Sequence, residues 1–310
     1  MRGLLTPVLL LFTTCAFGQQ TNPSQAETPP PRPVLPPPIS KENPDFELNQ
    51  VMMESTFMIE GHTTAGAPTI GTVFVIGRSI PGTNPPLAKY VMVTAAHVLE
   101  EMGGDTAILH LRRKVDEKTS AWVEAPTPVS IRANNRALWT RHPEADVAVM
   151  YISVPPEDTI SIVGMGVLSD DKMLTDYEIK PGDELRCLGY PLGVASNPAR
   201  FPVLRSGRIA SYPLLPTDRT KTFLLDFRVF KGNSGGPVFY VERYRLVPGT
   251  LGGYAHYHFI MGLVSQEVIY PEQVISPYSQ ELRQTQLGLA VVVHASLIKQ
   301  TIEMLPPPTL

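Results

Sequence analysis

The feature that most constrains this chain is its series of short apolar runs, each ended by glycine, proline or asparagine before it reaches helical length. Eleven stand out: "STFMIE", "GTVFVIG", "YVMVTA", "AILHLRR", "DVAVMYI", "ELRCLGY", "VLRSGRIAS", "FLLDFRV", "PVFYV", "FIMGLVS" and "GLAVVV". β-branched and aromatic residues suit a pleated, half-buried surface, and the breakers between them suit turns. Such a series predicts an all-β architecture. One segment has a helical period: over about Ala295 to Leu305, Leu297, Ile298, Ile302 and Leu305 fall near one face. The proline- and aspartate-rich stretch 154–180 is expected to cross between two β lobes, and no repeat of fixed period occurs.

The N-terminus is expected to lie outside the fold. Arg2, an apolar run from Leu4 to Phe17 and the small residues of "AFG" describe a secretory signal cut after about Gly18. Lipid attachment at Cys15 is the alternative. Residues 21–38 hold eight prolines, so 19–47 is expected to be an extended spacer. A folded β domain would follow over 48–305, with a first barrel at about 48–160, a second at about 180–294, the helix at 295–305 and a tail at 306–310. Removal of the signal would leave Cys187 as the single thiol, so an exported product would be stabilised by its core and not by a disulfide. The expected location is secreted or periplasmic, with no stable membrane span.

A composition of 43% hydrophobic and 18% charged residues, with a net charge of −3, gives no electrostatic argument for nucleic acid. The short basic blocks Arg112-Arg113-Lys114 and Arg243 to Arg245 are expected on solvated faces. His256 and His258 alternate as on a strand, but no third ligand has suitable spacing, so no metal is expected.

The stretch "KGNSGGPVF", Lys231 to Phe239, places three glycines, an asparagine and a serine between two strand-like runs. A reactive serine needs small neighbours around an exposed hydroxyl. It also needs backbone N–H groups converging on a developing oxyanion, in conformations that glycine adopts without strain. A base must take the hydroxyl proton, and a carboxylate must fix the tautomer of that base. His97 in "VMVTAAHVLE" and Asp146 in "PEADVAVMYI" supply both, each beside an apolar strand.

The order His97, Asp146, Ser234, with "TAAHVL", "DVAVM", "GDELRCLGYPLG", "GNSGGPVF" and "GLVSQEV", resembles the chymotrypsin-like (trypsin-like) serine peptidases. The similarity is greatest to their bacterial branch, which includes the Do-like high-temperature-requirement proteases. It implies two six-stranded β-barrels with a catalytic cleft between them and a C-terminal helix. It also implies a serine endopeptidase that forms an acyl-enzyme and needs no metal or organic cofactor. Ser234 would be the nucleophile, His97 the general base and Asp146 its orienting carboxylate. The backbone N–H groups of Gly232 and Ser234 would form the oxyanion hole. Ser265 matches the serine that holds the aspartate, and Ser265, Gln266 and Glu267 would pair with a substrate backbone. Gly288 matches a wall of the specificity pocket, and Arg228 falls at its base. Asn233 stands where the digestive enzymes have aspartate, as in the Do-like branch. The roughly twenty residues after Gly288 are too few for the PDZ domain of that branch. A peptide or protein is the expected substrate, with the oligomeric state open. The alternatives are a catalytically inactive peptide-binding protein of the same fold, and an esterase with the same triad.

Overall fold

Strands alternating with tight turns build a first sheet around residues that lose nearly all contact with water. The computed structural model describes residues 47–116, 121–246, 254–275 and 280–309. The expected signal peptide, Cys15 and nearly all of the proline-rich spacer lie outside them. After a helix α1 (Leu48–Ser55) come β1 (Thr56–His62), β2 (Pro68–Ser79) and β3 (Ala88–Thr94), then helix α2 (Ala96–Glu101). There follow β4 (Thr106–Asp116), β5 (Ala121–Ser130), β6 (Arg132–Ala133), β7 (Arg136–Ala137), β8 (Thr140–Arg141), β9 (Ala148–Ile152) and β10 (Val163–Gly164). The main sheet runs β5-β4-β1-β2-β3-β9-β8, with β10 also on β2, while β6 and β7 form a separate small ribbon. The central strand β2 is buried from Gly71 to Gly77, so Phe74 and Ile76 each contribute roughly 1.5–3 kcal/mol by leaving water.

The second half closes on itself. After helix α3 (Asp171–Asp176), strands β11 (Glu184–Gly189), β12 (Val203–Ile209), β13 (Thr222–Asp226), β14 (Pro237–Leu246), β15 (Tyr254–Ile275) and β16 (Gln280–His294) form a barrel in the order β11-β12-β13-β16-β15-β14. Its core is Leu185, Phe223, Leu225, Val238, Phe259 and Val292. Helix α4 (Ala295–Met304) follows, and its Leu297, Ile298 and Ile302 pack into the core of the first sheet.

Three expectations need correction. Two six-stranded barrels were expected, but among the described residues only the second closes, while the first sheet is open. Its terminal strands explain this: β8 is two residues long, and β5 carries Pro126 and Pro128, which donate no hydrogen bond. Those prolines also hide β5 from a strand reading. Arg112 is not on a solvated face: it is fully buried. Its guanidinium lies between the rings of Phe57 and Phe201, 4.3 and 4.2 Å from their centroids, and donates to the carbonyls of Met53, Glu54, Thr56 and Arg200. Arg245 is also largely buried and pairs with Asp183 at 3.4 Å.

His294, the last residue of β16, is fully buried against the Phe223 ring, and neither ring nitrogen has a hydrogen-bond partner among the described residues. Burial pushes its pKa down to about 4, against a weaker upward pull from Asp171. The fold therefore holds the neutral imidazole. This contribution is complete above about pH 6.5 and is lost as pH falls towards 4, about 3 kcal/mol in all. Urea unfolding at pH 7.5 and 4.5 should show wild type losing about that much more stability than His294→Phe. Equal losses in both proteins would contradict this account.

Candidate active site

The site begins where β3 ends. Small residues Ala95 and Ala96 let the chain turn into α2, which puts His97 in its first turn and not on the strand itself. Asp146 lies two residues before β9, the neighbour of β3 in the sheet, so the two side chains face each other at adjacent strand ends. His97 Nδ1 is 2.7 Å from Asp146 Oδ2, and the His97 backbone N–H donates to Asp146 Oδ1 at 3.0 Å. Ser265, in β15, donates to Asp146 Oδ2 at 2.6 Å.

These contacts set the charges. Burial alone would raise the Asp146 pKa, but the hydrogen bonds and charge of His97 and the hydroxyl of Ser265 bring it down to about 2. For His97 burial pulls the pKa down, and the hydrogen bond and charge of Asp146, helped by Glu101 and Glu100, outweigh it; the net shift is upward. With Nδ1–H directed at the carboxylate, the neutral ring carries its lone pair on Nε2.

The Ser234 turn is stitched almost entirely through its backbone. Asn233 N–H donates to Phe230 O, Gly236 N–H to Asn233 O and Gly235 N–H to Val264 O. Thr72 in β2 donates its N–H to Ser234 O at 2.9 Å and its hydroxyl to Gly232 O at 2.6 Å. Gly232 and Gly235 have φ of +95° and +85°. A Cβ on Gly232 would lie 2.2 Å from Tyr190 O, and one on Gly235 2.1 Å from Thr72 O. Both positions therefore require glycine for conformation and for close approach. The N–H groups of Asn233, Gly235 and Gly236 are engaged, whereas those of Gly232 and Ser234 donate to no acceptor among the described residues. Two free donors flank the Ser234 side chain.

Gly235 also packs against Thr94 and Ala95, which brings the Ser234 turn to the strand end that carries His97. Ser234 is half-buried, and no hydrogen bond joins its hydroxyl to His97.

Beside His97, Asp146, Ser265 and Gln266 opens a cleft of about 590 Å³, also lined by Glu100, Glu101, Arg141, Glu144, Lys221 and Val291. Arg141 pairs with Glu100 at 2.8 Å, and Lys221, just before β13, pairs with Glu144 at 2.7 Å, tying the barrel to the first sheet. No local pattern in the sequence marks these residues. The same holds for Thr72, whose partner lies 160 residues away.

The proposed pocket residues are spread more loosely. Arg228 is exposed, donates to Gln286 Oε1 at 3.0 Å and lies 5.2 Å from the Phe230 ring centroid. Gln266 is exposed and Glu267 half-buried, with Glu267 Oε1 buried and unpaired among the described residues. Burial raises the Glu267 pKa, partly offset by Arg228. Gly288 sits with φ +73° where β16 bulges, and its carbonyl accepts from Phe227 N–H.

Residues 65–247 match the family of the trypsin-like peptidase domain. Among solved structures, the chain is similar to the protease Anisep from Arthrobacter nicotinovorans, at 14% identity over 80% of this chain and 93% of that one, with a TM-score of 0.40. It is also similar to the thermostable serine protease AL20 from an extremophilic microorganism, at 12% identity over 80% and 95% of the two chains, with a TM-score of 0.40. No curated protein sequence matches it. The family match spans more than half of the 310 residues, and the chain belongs to the trypsin-like peptidase domain family.

Proposed function

We propose that the protein is a serine endopeptidase in which Ser234, His97 and Asp146 form the catalytic triad. The observation that carries this reading is the chain Ser265–Asp146–His97, set beside a serine turn with two unengaged backbone donors. Ser234 Oγ attacks the peptide carbonyl carbon as His97 Nε2 takes its proton. The N–H groups of Gly232 and Ser234 receive the negative charge that develops on the carbonyl oxygen. His97 then passes the proton to the leaving amine, and water attacks the acyl-enzyme by the same route. Asp146 stays ionised throughout, consistent with its depressed pKa. A peptide-binding protein without catalysis needs neither the tautomer-fixing carboxylate nor the free donors. The neutral Asn233, in place of an aspartate, supports placement in the Do-like branch, and the N-terminal pattern supports export.

Activity requires neutral His97. Since its pKa is raised, the acid limb of kcat/KM should have its midpoint above the ordinary histidine value of about 6.5. Glu100→Gln combined with Glu101→Gln should move that midpoint down, and an unmoved midpoint would contradict the assigned cause. The reaction class itself is tested by incubating the purified chain with a peptide library and mapping the cuts by mass spectrometry. Cleavage that a sulfonyl fluoride abolishes and a chelator leaves intact is expected. Absence of cleavage by folded protein would overturn the reading.

A further inference from the structure

Asp146 sits on a loop whose interior is filled by a second imidazole. Strands β8 and β9 pair Thr140 with Val149 and Arg141 with Ala148, and the His142 N–H donates to Val147 O at 2.9 Å. Pro143 to Asp146 connect the two strands. A short connection of this kind leaves backbone N–H groups that no ladder satisfies, and each needs an acceptor where it is buried. The His142 ring folds back to supply one: the residue is 5% exposed, and Ala145 beside it 6%. His142 Nδ1 accepts from the N–H of Glu144 at 3.1 Å and from that of Ala145 at 3.0 Å. The Val147 N–H then donates to Ala145 O at 2.9 Å, so Asp146 is held between two residues that the ring and the strands fix.

These donors set the tautomer. Both partners of Nδ1 are N–H groups, so that nitrogen presents its lone pair and the ring hydrogen is on Nε2. Nε2 lies 3.3 Å from Gln300 Oε1, on helix α4, which accepts it. The molecule therefore holds two imidazoles in opposite tautomers around one carboxylate. His97 turns Nδ1–H toward Asp146, and His142 turns a bare Nδ1 into the loop that carries Asp146. Other ties to this loop are superficial. Arg141 donates to His142 O at 3.1 Å and Lys221 pairs with Glu144 at 2.7 Å, but Arg141 and Glu144 are exposed, where such contacts hold weakly.

We propose that His142 is a positioning residue for Asp146, with Gln300 fixing which ring nitrogen it offers to the loop. The 2.7 Å and 3.0 Å contacts between Asp146 and His97 are then set from below by a side chain that touches neither His97 nor a substrate. This rests on Asp146 being the carboxylate of the triad.

The test compares His142→Phe with His142→Asn in the full chain. Phenylalanine keeps a ring and removes the acceptor, whereas asparagine places Oδ1 as many bonds from the backbone as Nδ1 and restores it. In His142→Phe, kcat should fall about 10²-fold with KM changed less than about twofold, as for a misplaced catalytic group. Burial lowers the His97 pKa, and Asp146 outweighs it with help from Glu101 and Glu100. With Asp146 displaced and both glutamates in place, the acid limb of kcat/KM should move down toward or below about 6.5. His142→Asn should keep the wild-type midpoint and recover kcat to within about fivefold, the worth of the lost Gln300 bond. A merely structural role would lower the melting temperature and leave the midpoint in place. That outcome, or an asparagine variant no better than phenylalanine, overturns the proposal. If His142→Phe does not fold, nitrogen NMR of the wild-type ring decides: hydrogen on Nε2 is expected, and hydrogen on Nδ1 overturns the proposal. Fluorophosphonate labelling separates the two readings. Labelled wild type with kcat and midpoint unchanged in His142→Phe overturns the positioning role alone, whereas unlabelled wild type overturns the triad.

Discussion

Ser234→Ala is expected to lower kcat by about 10⁴–10⁶-fold without changing the melting temperature appreciably. The turn that carries Ser234 is held by Thr72, Val264, Phe230 and its own glycines through backbone groups, and the Ser234 hydroxyl takes part in none of those bonds. Removing it leaves the two free N–H donors, the His97–Asp146 pair and the cleft in place, so only the proposed nucleophile is lost. Residual activity should come from those donors and from binding alone. Steady-state kinetics with peptides, together with a thermal melt, check both halves of the expectation. A variant as active as wild type would remove Ser234 from the mechanism, and a variant that fails to fold would contradict the description of the turn.

Asp146→Asn should cost about 10⁴-fold in kcat near neutral pH, through a different physical route. Asp146 accepts from the His97 backbone, from His97 Nδ1–H and from Ser265. An asparagine has nearly the same shape but only one accepting oxygen. If its NH₂ group faces Nδ1, that nitrogen must become the acceptor, and the ring proton moves to Nε2. The nitrogen that should take the Ser234 proton is then already protonated. The loss should therefore appear in kcat far more than in KM. A loss of less than about tenfold would mean that Asp146 does not set the tautomer of His97.

The parts of this site that a sequence reader can see are those whose chemistry is local. The Ser234 turn announces itself because its constraints fall on neighbouring residues. His97 after two alanines and Asp146 before an apolar strand are legible for the same reason. The terminal helix is also legible, because Leu297, Ile298 and Ile302 repeat with its period and are all buried. What stayed hidden depends on distant partners. Thr72 reaches the serine turn across 160 residues, and its strand looks like any buried strand. Arg112 sits in a basic triplet that resembles a solvated face, yet carbonyls from two separate segments and two aromatic rings bury it. The openness of the first sheet is not legible in the sequence because closure depends on how the end strands meet, and the prolines of β5 act there only through the donors they lack. Arg228 sits at the expected spacing from Ser234, but that spacing does not foretell its bond to Gln286 on the β15–β16 ribbon.

The most direct measurement is the mapping of a fluorophosphonate adduct on the folded full chain by mass spectrometry. The reagent reacts with a serine whose proton a neighbouring base can take. The account predicts one adduct, on the peptide that contains Ser234, formed faster as pH rises through the His97 titration and absent in His97→Ala. No adduct on folded protein, or an adduct on a different serine, would contradict it.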